Sequence, residues 1–223
     1  MNNQFKIRKL VVAALLCALA YLVVVVFPIR VQFLTFDAKD AIIAIGSLLL
    51  GPLYGLGMAI VVPLLEMLTI SATGFYGFIM NFLSSATFAC VCGLIYSIRR
   101  DVTGAIVGLA LSVASMTAVM MAANLFITPL YMGVERTVVV QLIPTLLLPF
   151  NLTKAALNAG ITLLLYKPFT AAVRATDLLP AANGGGSGAY HFGVRSVLLT
   201  SVALAVIAAA VAVFFVVLQG RVG

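Results

Sequence analysis

Apolar runs separated by short polar interruptions occupy almost the whole chain. Seven of them read as helices in a membrane: about 9–28, 40–50, 53–70, 75–98, 103–126, 147–166 and 194–218. Roughly 20 apolar residues cross a ~30 Å hydrocarbon core, so most of these runs suffice and the second is short. The second turns into the third at Gly51-Pro52, a tight-turn signal between apolar segments. The first follows Lys6, Arg8 and Lys9 but continues from Leu10 to Phe27 without a small-residue cleavage site, and so reads as a span. The predicted fold class is an all-α integral membrane bundle. Six helices within residues 1–170 form one membrane domain, a Gly-rich linker follows at 171–193, and one further helix occupies 194–223.

Polar positions inside the spans are few. The sixth run opens Leu148-Pro149-Phe150-Asn151-Leu152-Thr153-Lys154, with Pro149 suited to a first helical turn. Asn151, Lys154 and Asn158 fall at i, i+3 and i+7, on one helical face. Such a stripe is costly in lipid unless it meets a cavity, a partner or a ligand. The competing reading has Lys154 snorkelling to the interface and both amides bonding to neighbouring helices. Glu66, Asn81 and Asn124 lie toward the same predicted membrane face. Glu66 reads either as a functional carboxylate at depth or as a solvated interfacial one. On that side two stretches, 28–40 and 127–146, read as loops carrying Phe33, Leu34, Phe36, Tyr131 and Met132, either to cover a pocket or to pack at headgroup level. A set dominated by amides suits a neutral, flat, hydrogen-bonding molecule better than an ion.

Composition sharpens the class. Of 223 residues, 64% are hydrophobic and 9% charged, against about a quarter charged in soluble domains. The net charge of +7 is spread singly between spans, so it reads as a topology determinant and not as a nucleic-acid surface. Lys6, Arg8, Lys9, Arg99, Arg100, Lys167, Arg174 and Arg195 fall on one side; Arg30, Lys39, Arg136 and Arg221 fall on the other. That bias predicts a cytoplasmic N-terminus in the cell membrane. Cys17, Cys90 and Cys92 all lie in apolar runs and offer neither a disulfide framework nor a zinc site. The single His191 sits in a Gly-rich stretch, which leaves no His-based chemistry in a span and ranks an intramembrane enzyme low. The Gly-Gly-Gly-Ser-Gly within 181–193 lacks the Lys-Ser/Thr of a phosphate loop and reads as a linker. The last helix reads as an anchor or assembly element outside the site. Ala14 and Ala18, four apart on the first span, let another helix approach closely.

Several stretches, in order, resemble the substrate-binding S components of energy-coupling-factor (ECF) vitamin transporters, most closely the riboflavin-specific ones. They are Phe27-Pro28-Ile29, Phe36-Asp37-Ala38-Lys39-Asp40, Gly51-Pro52-Leu53-Tyr54-Gly55, Gly74 to Phe82, Asn124 with Pro129-Leu130-Tyr131-Met132, and Pro149 to Lys154. The resemblance spans about residues 8–170. It implies a riboflavin-binding membrane subunit that works on the outer face with a coupling protein and two cytoplasmic ATPases. It implies no catalytic activity and no cofactor, riboflavin being the transported ligand. Asn124, Asn151 and Lys154 match ligand-contacting positions of the family. Asn81, Asn158, Phe33, Leu34 and Tyr131 complete the expected site. Ala14 and Ala18 match the family's docking motif for the coupling protein. Residues 171–223 depart from the six-helix pattern. An S component for pantothenate, thiamine or folate, or a membrane scaffold, stands as the alternative.

Overall fold

The computed structural model describes residues 3–175 and 194–218. The Gly-rich stretch 181–193, with His191, lies outside the described residues. Helix α1 (Asn3–Val26) leads into a two-stranded antiparallel hairpin, β1 (Ile29–Val31) and β2 (Leu34–Phe36), and then α2 (Lys39–Leu50). Helices α3 (Pro52–Thr69), α4 (Gly74–Ile98) and α5 (Val102–Met132) follow. A short α6 (Arg136–Leu142) passes through one π-helical turn, Ile143–Leu147, into α7 (Leu148–Ala175). The last element is α8 (Val194–Leu218). The all-α membrane class therefore stands.

Among the described residues, five helical stretches are long and apolar enough to cross a membrane: Gln4–Val26, Pro52–Thr69, Gly74–Ile98, Val102–Met132 and Arg136–Phe169. The second predicted span is not a full crossing. Helix α2 has 12 residues, about 18 Å at 1.5 Å per residue, too short for the hydrocarbon core. Every one of its residues except Leu49 is buried, as a helix apolar on all sides requires. It forms the central post, with the hairpin capping its N-terminal end. Ala44 and Leu48 pack against Phe88, Leu109, Met116 and Ala155 of α4, α5 and α7. Ile42, Ile43 and Leu50 pack against α1 and α3 through Val12, Leu16, Met58 and Val62.

Small residues permit this density. A Cβ on Gly93 would run into the Ser47 hydroxyl, which donates to Ala89 O at 2.7 Å. The α2–α3 turn rests on Gly51, whose φ of 109° suits only glycine. At the same end of the bundle Asp101 caps α5, accepting the Gly104 N–H at 2.6 Å and an Arg99 N–H at 2.8 Å. The Arg99 bond, aided by the Gly104 N–H, holds its carboxyl below the usual carboxylate range.

Two predicted boundaries move. The stretch 127–146 is not a loop: α5 continues through Pro129 to Met132, and the chain is helical again from Arg136. Gly133, left-handed at φ 64°, ends α5 with its N–H on Pro129 O. Likewise α7 does not stop at Lys167-Pro168 but carries Pro168 inside and runs to Ala175, into the stretch expected as linker. Prolines punctuate soluble helices, but packed membrane helices absorb them because neighbouring groups satisfy the freed carbonyls.

Candidate functional site

A chamber of about 640 Å³ opens at the end of the bundle that carries the hairpin. The hairpin supplies Phe33, Leu34 and Thr35; α4 supplies Tyr76, Met80, Asn81 and Ser84. Met120, Asn124 and Tyr131 come from α5, and Phe150, Asn151 and Lys154 from α7. Seven expected site residues thus share one cavity: Phe33, Leu34, Asn81, Asn124, Tyr131, Asn151 and Lys154. A second space of about 1190 Å³, between the hairpin and the ends of α1 and α3, shares Phe33, Leu34, Thr35, Thr73 and Asn81 with it.

The hairpin forms the roof. Its register pairs Val31 with Leu34, so only Gln32 and Phe33 make the turn, and Gln32 takes a positive φ of 53° as the first residue of a tight hairpin. The Phe33 ring meets Tyr131 edge-on at 6.1 Å between centroids, and Tyr131 lies 6.3 Å from Tyr76. Below the strands Val31 and Phe36 bury against Leu146 and Phe150. Phe36 contacts Phe150 at 6.0 Å and Phe214 of α8 at 5.7 Å.

The amides are held by their own helices. Asn124 Nδ2 donates to Met120 O at 2.7 Å, and its Oδ1 accepts from Thr128 Oγ1 at 2.8 Å. Asn151 Nδ2 donates to Leu147 O at 2.8 Å. Such back-bonds fix the amide planes before anything binds. Asn158 stands apart from the other expected residues and is not a chamber-lining residue. Its Oδ1 accepts the Ala41 N–H at 2.8 Å, and its Nδ2 donates to Asp37 O and to Lys154 O, both at 3.0 Å. Ala41 is the third residue of α2, whose N-cap Ala38 has no capping side chain. Asn158 therefore caps α2 from across the bundle, satisfying an N–H that the chain's own cap leaves open.

Charges thought to lie in a solvated loop are buried instead. Lys39, counted as an outer-side topology charge, is fully buried and donates to Glu66 Oε2 at 2.7 Å. Glu66 is 4% exposed, not interfacial, and also accepts from Asn81 Nδ2 at 3.0 Å. Lys154 does not snorkel: its ammonium meets Asp37 Oδ2 at 2.9 Å and Thr35 O at 3.3 Å. Asp40 accepts from the hydroxyls of Ser84 and Ser85. Three carboxylates thus face two ammonium groups in one buried network below the roof. Only Lys154 among the cations had been assigned to the site. Asp37-Ala38-Lys39-Asp40 was visible as alternating charge ahead of an apolar run, and burial could have been suspected from that. Tyr76 and Phe150 also line the chamber, and by spacing alone they are indistinguishable from lipid-facing aromatics.

Comparison with known families decides what kind of chamber this is. The family described as ECF transporter, substrate-specific component, matches residues 8–166. The chain belongs to that family. A solved structure described as the S component of a bacterial ECF transporter is similar at 27% identity and a TM-score of 0.64. The match covers 74% of this chain and 96% of that one. A comparison with curated proteins gives no match. As an ECF S component, the chain is a multi-pass membrane subunit that binds a substrate, and family membership implies association with coupling and ATPase modules. The family match ends at 166, short of α8.

Proposed function

We propose that this S component captures riboflavin in the hairpin-capped chamber on the outer face of the cell membrane and hands it inward with its coupling partners. The observation that carries the reading is the pairing of Lys154 with Asp37 beside the fixed amides of Asn124 and Asn151. A pocket whose lining cation is already neutralised suits an uncharged ligand; a carboxylated vitamin such as pantothenate or folate would have to displace Asp37. Aromatic faces from Phe33, Tyr76, Tyr131 and Phe150 suit a flat ring system, and amide groups suit a uracil-like edge and a polyol chain. The excess of buried carboxylate favours one competitor, a cationic ligand such as thiamine. Ala14 and Ala18 are exposed on α1 while Ala13 and Ala20 are buried, which supports the docking of a partner helix on that stripe. Purified protein should be yellow or quench added riboflavin fluorescence stoichiometrically. Absence of quenching by riboflavin together with saturable thiamine binding would reassign the substrate.

A further inference from the structure

At the opposite end of the bundle the helices part around a second space, of about 630 Å³, unrelated to the hairpin-capped chamber. Its deep wall is apolar, built from Leu48, Ala105, Leu109 and Leu163 of α2, α5 and α7. Its rim carries Arg100 and Lys167. An adjoining space of about 670 Å³ shares Leu48, Tyr96, Arg100 and Tyr166 with it and adds Lys9. The Tyr96 and Tyr166 hydroxyls lie 2.7 Å apart where the two spaces meet. The rim is thus cationic from three separate segments, α1, the α4–α5 connection and α7. The carboxylate on this rim, Asp101, is engaged by Arg99 and by the Gly104 N–H. No carboxylate among the described residues forms a salt bridge with Arg100 or Lys9.

We infer that this is a binding site for one anionic phospholipid of the adjacent leaflet. Its phosphate would lie among Arg100, Lys167 and Lys9, and part of an acyl chain along the Leu48–Leu109–Leu163 wall. The physical argument is complementarity of two kinds in one place. A soluble anion would use the cations but leave the apolar wall hydrated, and a neutral lipid would use the wall but not the cations. Clustered basic groups between membrane helices favour anionic headgroups by about a factor of five in affinity for each cation.

The test is native mass spectrometry of the delipidated full-length protein, titrated with dioleoylphosphatidylglycerol, with dioleoylphosphatidylcholine, or with inorganic phosphate. One phosphatidylglycerol adduct is expected to form at lower concentration than any phosphatidylcholine adduct, and inorganic phosphate should not displace it. Arg100→Gln should weaken the adduct about fivefold and Arg100→Gln with Lys167→Gln about 25-fold. Arg100 is exposed, so the single variant decides the matter even if the double variant folds poorly. Ala105→Phe, which fills the apolar wall, should abolish the adduct while leaving riboflavin quenching unchanged. Equal affinity for the two lipids, displacement by phosphate alone, wild-type binding in Arg100→Gln, or an adduct that survives Ala105→Phe would each overturn the assignment.

Discussion

Removing the Lys154 ammonium has two consequences that a single substitution confounds. The group faces the chamber, but it also neutralises Asp37, which is 4% exposed. Breaking a buried pair from one side costs about 3–5 kcal/mol where it leaves an uncompensated charge, whereas removing both charges is often close to neutral; here Lys39 Nζ, 3.8 Å from Asp37 Oδ2, still offsets part of that cost. Lys154→Met should therefore lower the ligand-free melting temperature in detergent sharply, and Asp37→Asn combined with Lys154→Met should restore most of it. Equal melting of Lys154→Met and wild type would mean that the pair is not buried as described. The amides make the cleaner probes of binding. Asn124→Leu and Asn151→Leu each remove one fixed hydrogen-bonding group, worth about 1–3 kcal/mol, or roughly one to two orders of magnitude in dissociation constant. Flavin-fluorescence titration measures this, and wild-type affinity in both variants would refute the substrate assignment. Asn158→Leu should act differently, because its amide caps α2. It is expected to lower thermal stability, while its effect on affinity should follow only from that loss.

Among the elements, α8 is the one whose packing the sequence leaves most open. An apolar helix with no intramembrane charge reads as an accessory anchor. In the folded chain it packs along α7, where a Cβ on Gly160 would lie 2.6 Å from Ile207 Cγ1. Its Phe214 closes an aromatic row with Phe36 and Phe150, joining α8 to the hairpin that roofs the chamber. Aromatic contacts of this kind contribute about 0.5–1.5 kcal/mol beyond area burial. Phe214→Ala, or deletion of 194–223, is therefore expected to leave capture possible but to speed riboflavin release by about two- to twelvefold. Stopped-flow fluorescence after mixing with excess non-fluorescent competitor reads the rate. An unchanged release rate in both variants would return α8 to the role of a bystander.

For the molecule as a whole, sidedness ties the chamber to transport. Hairpin and α6 share one membrane face, so cysteines placed at Thr35 and at Thr137 should both react with an impermeant maleimide added outside intact cells. Reaction of either only after permeabilisation would invert the topology and, with it, the direction of capture. Bulky residues at Ala14 and Ala18 should block uptake by the assembled transporter while sparing riboflavin quenching by the isolated subunit. Loss of quenching would instead mean that the stripe supports the fold.

Periodicity and length alone were enough for the membrane class and the clustering of polar side chains toward one end, because lipid admits few other arrangements of so apolar a chain. The face of α7 was legible for the same reason: Asn151 and Lys154 could not be left in lipid. Three things depended on tertiary structure. The 12-residue α2 is buried because other helices surround it, and run length cannot tell a short span from a central post. Pro129 and Pro168 lie within helices because packed neighbours tolerate them, whereas local rules read them as breaks. The charged partners of Asp37, Lys39, Glu66 and Lys154 come from segments up to 117 residues apart, so whether each charge is solvated, paired or offered to a ligand was decided only when the hairpin folded over α2 and met α7.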